Sequence, residues 1–316
     1  MKNPFFYIVL ILFSLAACNS APDTKKLNSE AKQLTESVFV IFGPNQLPNP
    51  ANRGFMNNPG FIITSDGVVV IDPGSSTTIG EMVASQIRKK TDKPVVAIID
   101  THVHGDHWLG NTGILNIFPG AQVYGHQDMI NKAKAGAGED WIKLMNGLTN
   151  GAIAGTKPHV PTKALKDGDV LKFGNTRIRI HHTGQAHTHG DLMVEVINEK
   201  VFFLGDIVLH NRIGRMVDGN FKGNIAAIDR ALKSAATVYV PGHGQSGDKT
   251  IPLAYRTYLE TVYKTVSSLY DNGMTDFEMK PAVDSKMGPF KNWHSYTEQL
   301  GNHISLCYLQ VEQDAF

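Results

Sequence analysis

Thr101-His102-Val103-His104-Gly105-Asp106-His107 places three histidines and an aspartate within six residues, just after the β-branched apolar run Val95-Val96-Ala97-Ile98-Ile99. A short run of that composition reads as a buried strand. Past its end an extended chain points residues i and i+2 to the same side, so His102 and His104 can grip one ion. Gly105 permits a sharp turn, after which Asp106 and His107 face a second ion. Imidazole and carboxylate together suit zinc, with iron or manganese also served by the donor set. Ligands at the carboxyl end of a buried strand lie where open α/β layers place their sites.

Three further donors follow strand-like segments in the same way. Arg177-Ile178-Arg179-Ile180 alternates polar and apolar side chains and leads to His187. Val201-Phe202-Phe203-Leu204 leads to Asp206, and Val238-Tyr239-Val240 leads to His243. A glycine near each ligand (Gly184, Gly205, Gly242) lets the backbone turn toward the ions. The expected metal set is His102, His104, Asp106, His107, His187, Asp206 and His243, converging from four strand ends.

These motifs resemble those of the metallo-β-lactamase-fold hydrolases. The family's His-x-His-x-Asp-His matches His102 to His107, and its Ala-His-Thr-x-Gly matches Ala186 to Gly190. Its Gly-Asp and Gly-His match Gly205-Asp206 and Gly242-His243, and its Asp-x-Gly matches Asp72-Pro73-Gly74 after Gly67-Val68-Val69-Val70-Ile71. The resemblance covers roughly residues 36–245. It implies an α/β chain folded as an αββα four-layer sandwich with a C-terminal helical extension. It also implies that His102, His104 and His187 hold one metal, that Asp106, His107 and His243 hold the other, and that Asp206 bridges them. Lactamases of this fold usually carry cysteine or serine at the bridging position, so Asp206 is more similar to the glyoxalase-II, lactonase and arylesterase-like branch. Flavodiiron relatives carry glutamate where this chain has His104, which argues against an oxygen-reducing site.

The implied chemistry is acyl-bond hydrolysis (ester, lactone or thioester) by hydroxide drawn from a water shared between two cations, whose pKa falls to about neutrality. Asp106 is the candidate catalytic residue, as ligand and proton shuttle. Asp72 is either an acceptor that orients a ligand histidine or a turn residue before Pro73. The alternatives are a β-lactamase, a mononuclear-iron persulfide dioxygenase, and a non-catalytic metal-stabilised envelope protein. The last is disfavoured because structural zinc sites are closed and single.

Other conspicuous residues get smaller roles. His181 and His182 read as structural, and His189 sits at a variable motif position, with a second-layer role as its functional alternative. His126, His159, His210, His294 and His303 have no partners at useful spacing. Arg212 and Arg215 are candidates for binding a substrate carboxylate or for ordinary ion pairing. Trp108 either lines the cavity or packs beneath it. Residues 45–59, with three prolines, read as a flap over the metals, and residues 133–161 as a second wall built from a loop.

The amino terminus reads as a targeting signal. Lys2 is followed by an apolar stretch from Phe5 to Leu15, too short to anchor a mature chain across a bilayer, and then by Leu15-Ala16-Ala17-Cys18. The tetrapeptide resembles a bacterial lipobox, so residues 1–17 are expected to be a signal peptide. Lipidated Cys18 would then be a membrane anchor facing the periplasm, and residues 18–35 a polar tether. Residues 36–247 are the expected catalytic domain, and residues 248–316 a helical extension packed on it. Cys307 lies on an apolar stripe with Leu300, Ile304 and Val311 and reads as a packed core thiol.

Among 316 residues, 30 are basic and 29 acidic, a net charge of +1 that offers no field for a polyanion. The expected partner is a small-molecule substrate, not nucleic acid. Apolar faces are expected for helices at Ile79/Met82/Val83/Ile87, Ile225/Ile228/Leu232 and Leu259/Val262/Val266/Leu269. A short helix ending before Pro281 and another through Cys307 complete the extension.

Overall fold

The computed structural model describes Leu27 and residues 29–315. The expected signal peptide and Cys18 lie outside the described residues.

Two mixed sheets form the core. The first holds β1 (Ala31–Gln33), β2 (Val38–Ile41), β3 (Gly60–Ile63), β4 (Val68–Ile71), β5 (Val95–Ile99), β6 (Gln122–His126) and β7 (Lys163–Leu165), in that spatial order. Pairing is antiparallel from β1 to β4 and parallel from β4 to β7. The second holds β8 (Val170–Phe173), β9 (Thr176–His181), β10 (Met193–Val196), β11 (Val201–Phe203) and β12 (Val238–Val240), with only β11 and β12 parallel.

The layering follows from side-chain alternation along strands buried on both faces. In β4, Val69 and Ile71 point to the second sheet, where they meet Ile178, Ile180, Val194 and Phe203. Val68 and Val70 point the other way, onto α1 (Thr77–Arg88) and α3 (Asn111–Ile117), through Ile79, Val83, Ile87 and Ile114. In β11, Val201 and Phe203 face between the sheets, whereas Phe202 faces outward to α6 (Phe221–Leu232) and the C-terminal helices. Helix, sheet, sheet, helix is therefore the order of layers. Continuous runs such as Val68 to Ile71 are apolar at every position because neither face of the strand meets water.

The helices expected at residues 79–87 and 225–232 are α1 and α6, each capped by a side chain, Ser76 accepting from the Ile79 amide and Asn220 from the Gly223 amide. The extension consists of α7 (Thr250–Asp271), α8 (Asp276–Lys286) and α9 (Tyr296–Asp314). Cys307 is buried there among Leu300, Ile304 and Val311, as its stripe predicts.

Two expectations need correction. Residues 31–33 belong to the sheet rather than to a tether spanning 18–35, because buried Ala31 pairs opposite Ile41 and extends the antiparallel edge. The helix expected to end before Pro281 continues through it to Lys286. The carbonyl that Pro281 leaves unpaired belongs to Phe277 in the first turn, which is 88 % exposed and open to water. Buried Met279 and Val283, four residues apart, hold the helix down. Docking outweighs the proline.

His303 ties α9 to the rest of the chain. Its Nδ1 accepts from the Tyr258 hydroxyl at 2.8 Å, and its Nε2–H donates to the Gly214 carbonyl at 2.8 Å. Burial pushes its pKa from the ordinary 6.5 down to about 4. Between those values the unfolded chain takes up a proton that the folded chain refuses, so stability is full above pH 6.5 and falls as pH drops toward 4. A shift of this size corresponds to about 3 kcal/mol. Urea titrations from pH 7 to 4 are expected to show a shallower pH dependence in His303→Gln than in the wild type; parallel curves would count against this assignment.

Candidate metal centre

The end of β4 delivers Asp72, and the end of β5 delivers the segment from Thr101 through α2 (Gly105–Trp108). The loop between β9 and β10 delivers His187, the 3₁₀ turn Gly205–Ile207 after β11 delivers Asp206, and the end of β12 delivers His243. The His187 loop is held by Asp191, which accepts from the Thr188 amide and hydroxyl at 2.6 and 2.8 Å. The Leu192 amide then ties it to the Thr101 carbonyl at 2.8 Å.

All seven expected donors are buried and meet at one place. They form two groups, His102/His104/His187/Asp206 and Asp106/His107/His243, with the donor atoms of each group within 4.8 Å of one another. Asp206 faces both. Its Oδ2 lies 3.6 Å from His187 Nε2, while its Oδ1 lies 3.1 Å from His107 Nε2 and 3.3 Å from His243 Nε2. Asp106 Oδ2 lies 3.1 Å from His243 Nε2.

The outer hydrogen bonds assign which ring nitrogen of each histidine is free. His107 Nδ1–H donates to Asp72 at 2.8 Å, and His243 Nδ1–H donates to the Met56 carbonyl at 2.8 Å. His102 Nδ1–H reaches Thr101 Oγ1 at 3.0 Å, and that hydroxyl donates to Asp72 at 2.7 Å. His104 is reversed, its Nε2–H lying 3.3 Å from Asp218 Oδ2, so its Nδ1 turns inward to within 3.0 Å of His187 Nε2. Each of these four imidazoles therefore aims a lone pair at the centre.

That arrangement fits bound cations. His102 Nε2, His107 Nε2 and Asp206 Oδ1 are buried without a hydrogen-bond partner among the described residues, a costly state that metal coordination relieves. Burial, reinforced by neighbouring imidazoles, drives the His187 pKa down to about 3 and holds His102 well below its ordinary value, so both are neutral ligands. Burial works against ionisation of Asp206, but without metal the protonated His243 and His107 outweigh it and hold the carboxyl well below the usual range, a role that bound cations would take over as the two rings become neutral ligands. Glycine is required close by. A Cβ on Gly242 would stand 1.9 Å from Asp206 Oδ1, and Gly205 sits at φ 52 against Thr101. Gly242→Ala is expected to displace the Asp206 carboxylate and lower metal content; a variant with wild-type metal stoichiometry by plasma mass spectrometry would contradict this.

A cavity of about 360 Å³ opens over the centre. Its walls are mostly apolar, with Leu47 and Pro48 on one side and Trp141, Leu144, Met145 and Leu148 on the other. The second wall is not a loop. A π turn at Ala133–Ala137, carrying Gly136 at φ 106, joins α4 (Gln127–Lys132) to α5 (Gly138–Leu148). Residues 141, 144, 145 and 148 of α5 present one face to the cavity. The expected flap divides in two. Leu47 and Pro48 form its rim, but residues 56–58 are buried scaffold, with Asn57 donating to the Asp72 carbonyl and Asn58 to the carbonyls of Pro241 and Gly244.

Arg212 borders the cavity and is only 5 % exposed. It donates to the Gln46 carbonyl at 3.2 Å, and no carboxylate among the described residues forms an ion pair with it. Burial lowers its pKa, opposed by the fields of Asp206 and Asp106. Arg215 is exposed at the mouth. Trp108 lies beneath the site, packed on Val103, Leu109 and Met129, with its indole N–H on the Val103 carbonyl at 2.8 Å. Asp72 is an orienting acceptor, not merely a turn residue.

His189 is exposed and takes no part in the centre. His181 pairs with buried Glu195 at 2.9 Å, and His182 stacks on His126. Sequence reasoning missed Asp218, the Met56 carbonyl and the Tyr255 hydroxyl, which has no hydrogen-bond partner among the described residues and whose ionisation is opposed first by burial and then by the charge of Asp206. No motif marks any of the three.

Two facing sheets, helices outside them, and paired His/Asp groups at the strand ends define an αββα protein with a candidate metal centre. The metallo-beta-lactamase superfamily model matches residues 52–243, and the chain belongs to that superfamily. It is 26 % identical over 204 residues to a probable hydroxyacylglutathione hydrolase of Schizosaccharomyces pombe, covering 62 % of this chain and 68 % of that protein. It is 25 % identical to a type 2 metallo-beta-lactamase of a Bacillus species, covering 60 % and 67 %. Among solved structures, a metallo-beta-lactamase from Pontibacter korlensis superimposes with a TM-score of 0.58 at 20 % identity, covering 73 % of this chain and 99 % of its own. A sec-alkylsulfatase from Pseudomonas matches with a TM-score of 0.69 at 15 % identity. It covers 89 % of this chain, a span that must include part of the C-terminal helices, but only 50 % of the sulfatase.

Proposed function

We propose that the protein is a dinuclear metal-dependent hydrolase of acyl bonds, acting on an ester, lactone or thioester. The observation that carries this reading is the position of Asp206, one oxygen toward His187 and the other toward His107 and His243. Divalent cations bound in such a site supply a Lewis acid for the carbonyl oxygen and make water nucleophilic at neutral pH. His102, His104 and His187 would hold one ion, Asp106, His107 and His243 the other, with Asp206 shared. Zinc suits these donors, and iron or manganese are the alternatives for the same set.

The chain's own residues do the rest. Asp106, which lines the cavity and would be a ligand of the second ion, is placed to receive the proton of the attacking water. Arg212, a buried cation with no carboxylate partner among the described residues, is placed to bind a carboxylate on the substrate. Apolar walls take the remainder. The test is turnover by metal-loaded protein of a panel of esters, lactones, thioesters and a chromogenic β-lactam. Turnover of one of the first three well above the β-lactam is expected.

β-Lactam hydrolysis is the second reading, favoured by the likeness to the Bacillus relative. A β-lactam rate equal to that of the best ester would promote it. We also propose export to the cell envelope with lipid attached at Cys18, a reading supported by the apolar stretch and Leu15-Ala16-Ala17-Cys18. Cys18→Ala is expected to move the protein from the membrane to the soluble fraction, and its retention on membranes would count against the anchor.

A further inference from the structure

Exposed apolar side chains on a soluble protein are normally scattered, and a contiguous patch marks a binding surface. Here Leu47, Leu144, Leu148, Val217 and Leu309, between 40 % and 63 % exposed, all border cavities around the mouth of the metal centre. Three cavities adjoin. The one over the centre shares Trp141 and Leu144 with a second of about 260 Å³, and that one shares Val217 with a third of about 460 Å³. Arg215 borders all three. The third runs along α9, where Leu306 and Leu309, three residues apart, lie on one face with Val217 opposite.

We propose that the acyl group taken by this site carries an unbranched alkyl chain, which leaves the metal centre beside Leu144, passes the stem of Arg215, and lies in the groove formed by Val217, Leu306 and Leu309. The orientation rests on the hydrolase reading above; the groove does not. Continuity with the catalytic cavity argues for a substrate chain rather than a separate ligand. Arg215 can cover methylenes with its own stem while its charge stays in water. The C-terminal helix thereby gains a role in choosing substrate.

The test uses straight-chain carboxylic acids of increasing length, each below its micelle-forming concentration, titrated into metal-loaded protein and followed by calorimetry. Each added methylene is expected to tighten binding about threefold to fourfold while the chain remains in the groove. Leu309→Asn, at a residue 52 % exposed on α9, is expected to flatten the series at its long end more than at its short end. The matching ester series should follow the same trend in kcat/KM. A flat series in the wild type, or an equal slope in Leu309→Asn, overturns the groove. Binding to phosphatidylcholine vesicles with no chain-length trend among monomeric acids also overturns it, assigning the patch to a lipid surface. A clear trend in binding with no ester hydrolysed supports the groove and defeats the hydrolase reading.

Discussion

Asp206→Ala is expected to lower turnover by about 10³-fold or more and to lower bound metal from about two equivalents toward one. Both effects have one cause. Asp206 is the only one of the seven donors with a separate oxygen turned toward each triad, at 3.6 Å from His187 and at 3.1 and 3.3 Å from His107 and His243. Without it, two clusters of ligands must hold two like charges close together with less negative charge between them. His107 and His243 retain their outer partners, Asp72 and the Met56 carbonyl, so the ring positions are preserved and the fold should survive. Asp206→Asn separates charge from shape: it keeps the size and one acceptor but removes the negative charge. Metal content by plasma mass spectrometry and activity, measured on the same samples, check the prediction. Full activity with one tightly held ion would mean that Asp206 does not bridge.

Asp72→Ala is expected to be the most damaging change away from the ligands themselves. The Asp72 carboxylate receives the Thr101 amide and hydroxyl, both at 2.7 Å, and His107 Nδ1–H at 2.8 Å. Truncation leaves three buried donors without an acceptor, a loss of about 3 kcal/mol or more in stability. His107 is also freed to rotate, and the Thr101 hydroxyl no longer fixes His102. Metal affinity should fall about 10–100-fold, the usual consequence of removing an orienting partner. Asp72 has φ 50, a conformation that asparagine also tolerates, so Asp72→Asn should unfold less readily than Asp72→Ala while still weakening metal binding. Denaturant midpoints and chelator competition separate the two effects. Wild-type metal affinity in Asp72→Asn would show that charge at this position is unimportant.

The parts of the fold legible in the sequence were those written as periodicity and punctuation. Val68 to Ile71 and Val95 to Ile99 announce buried strands because each is apolar at nearly every position. The metal-ligand candidates were legible because histidine and aspartate beside glycine at a strand end have few structural uses. Other features were hidden for identifiable reasons. Gly136, Gly138 and Gly147 made residues 133–161 read as loop, although Trp141, Leu144, Met145 and Leu148 already had the spacing of a helical face. Pro281 does not end its helix because Met279 and Val283 dock the helix into the core, a tertiary contact that the local sequence does not show. Asp218 and the Met56 carbonyl reach the centre only through tertiary folding, from loops with no signature of their own. The short strand Ala31–Gln33 is recognisable only by its partner, β2.

The central claim is that two separate cations occupy two separate triads. Anomalous diffraction from crystals of the metal-loaded protein tests it most directly. Two peaks are expected, one enclosed by His102, His104 and His187 and the other by Asp106, His107 and His243, with Asp206 in contact with both. A single peak, or one that leaves either triad without a ligand bond, would contradict the account.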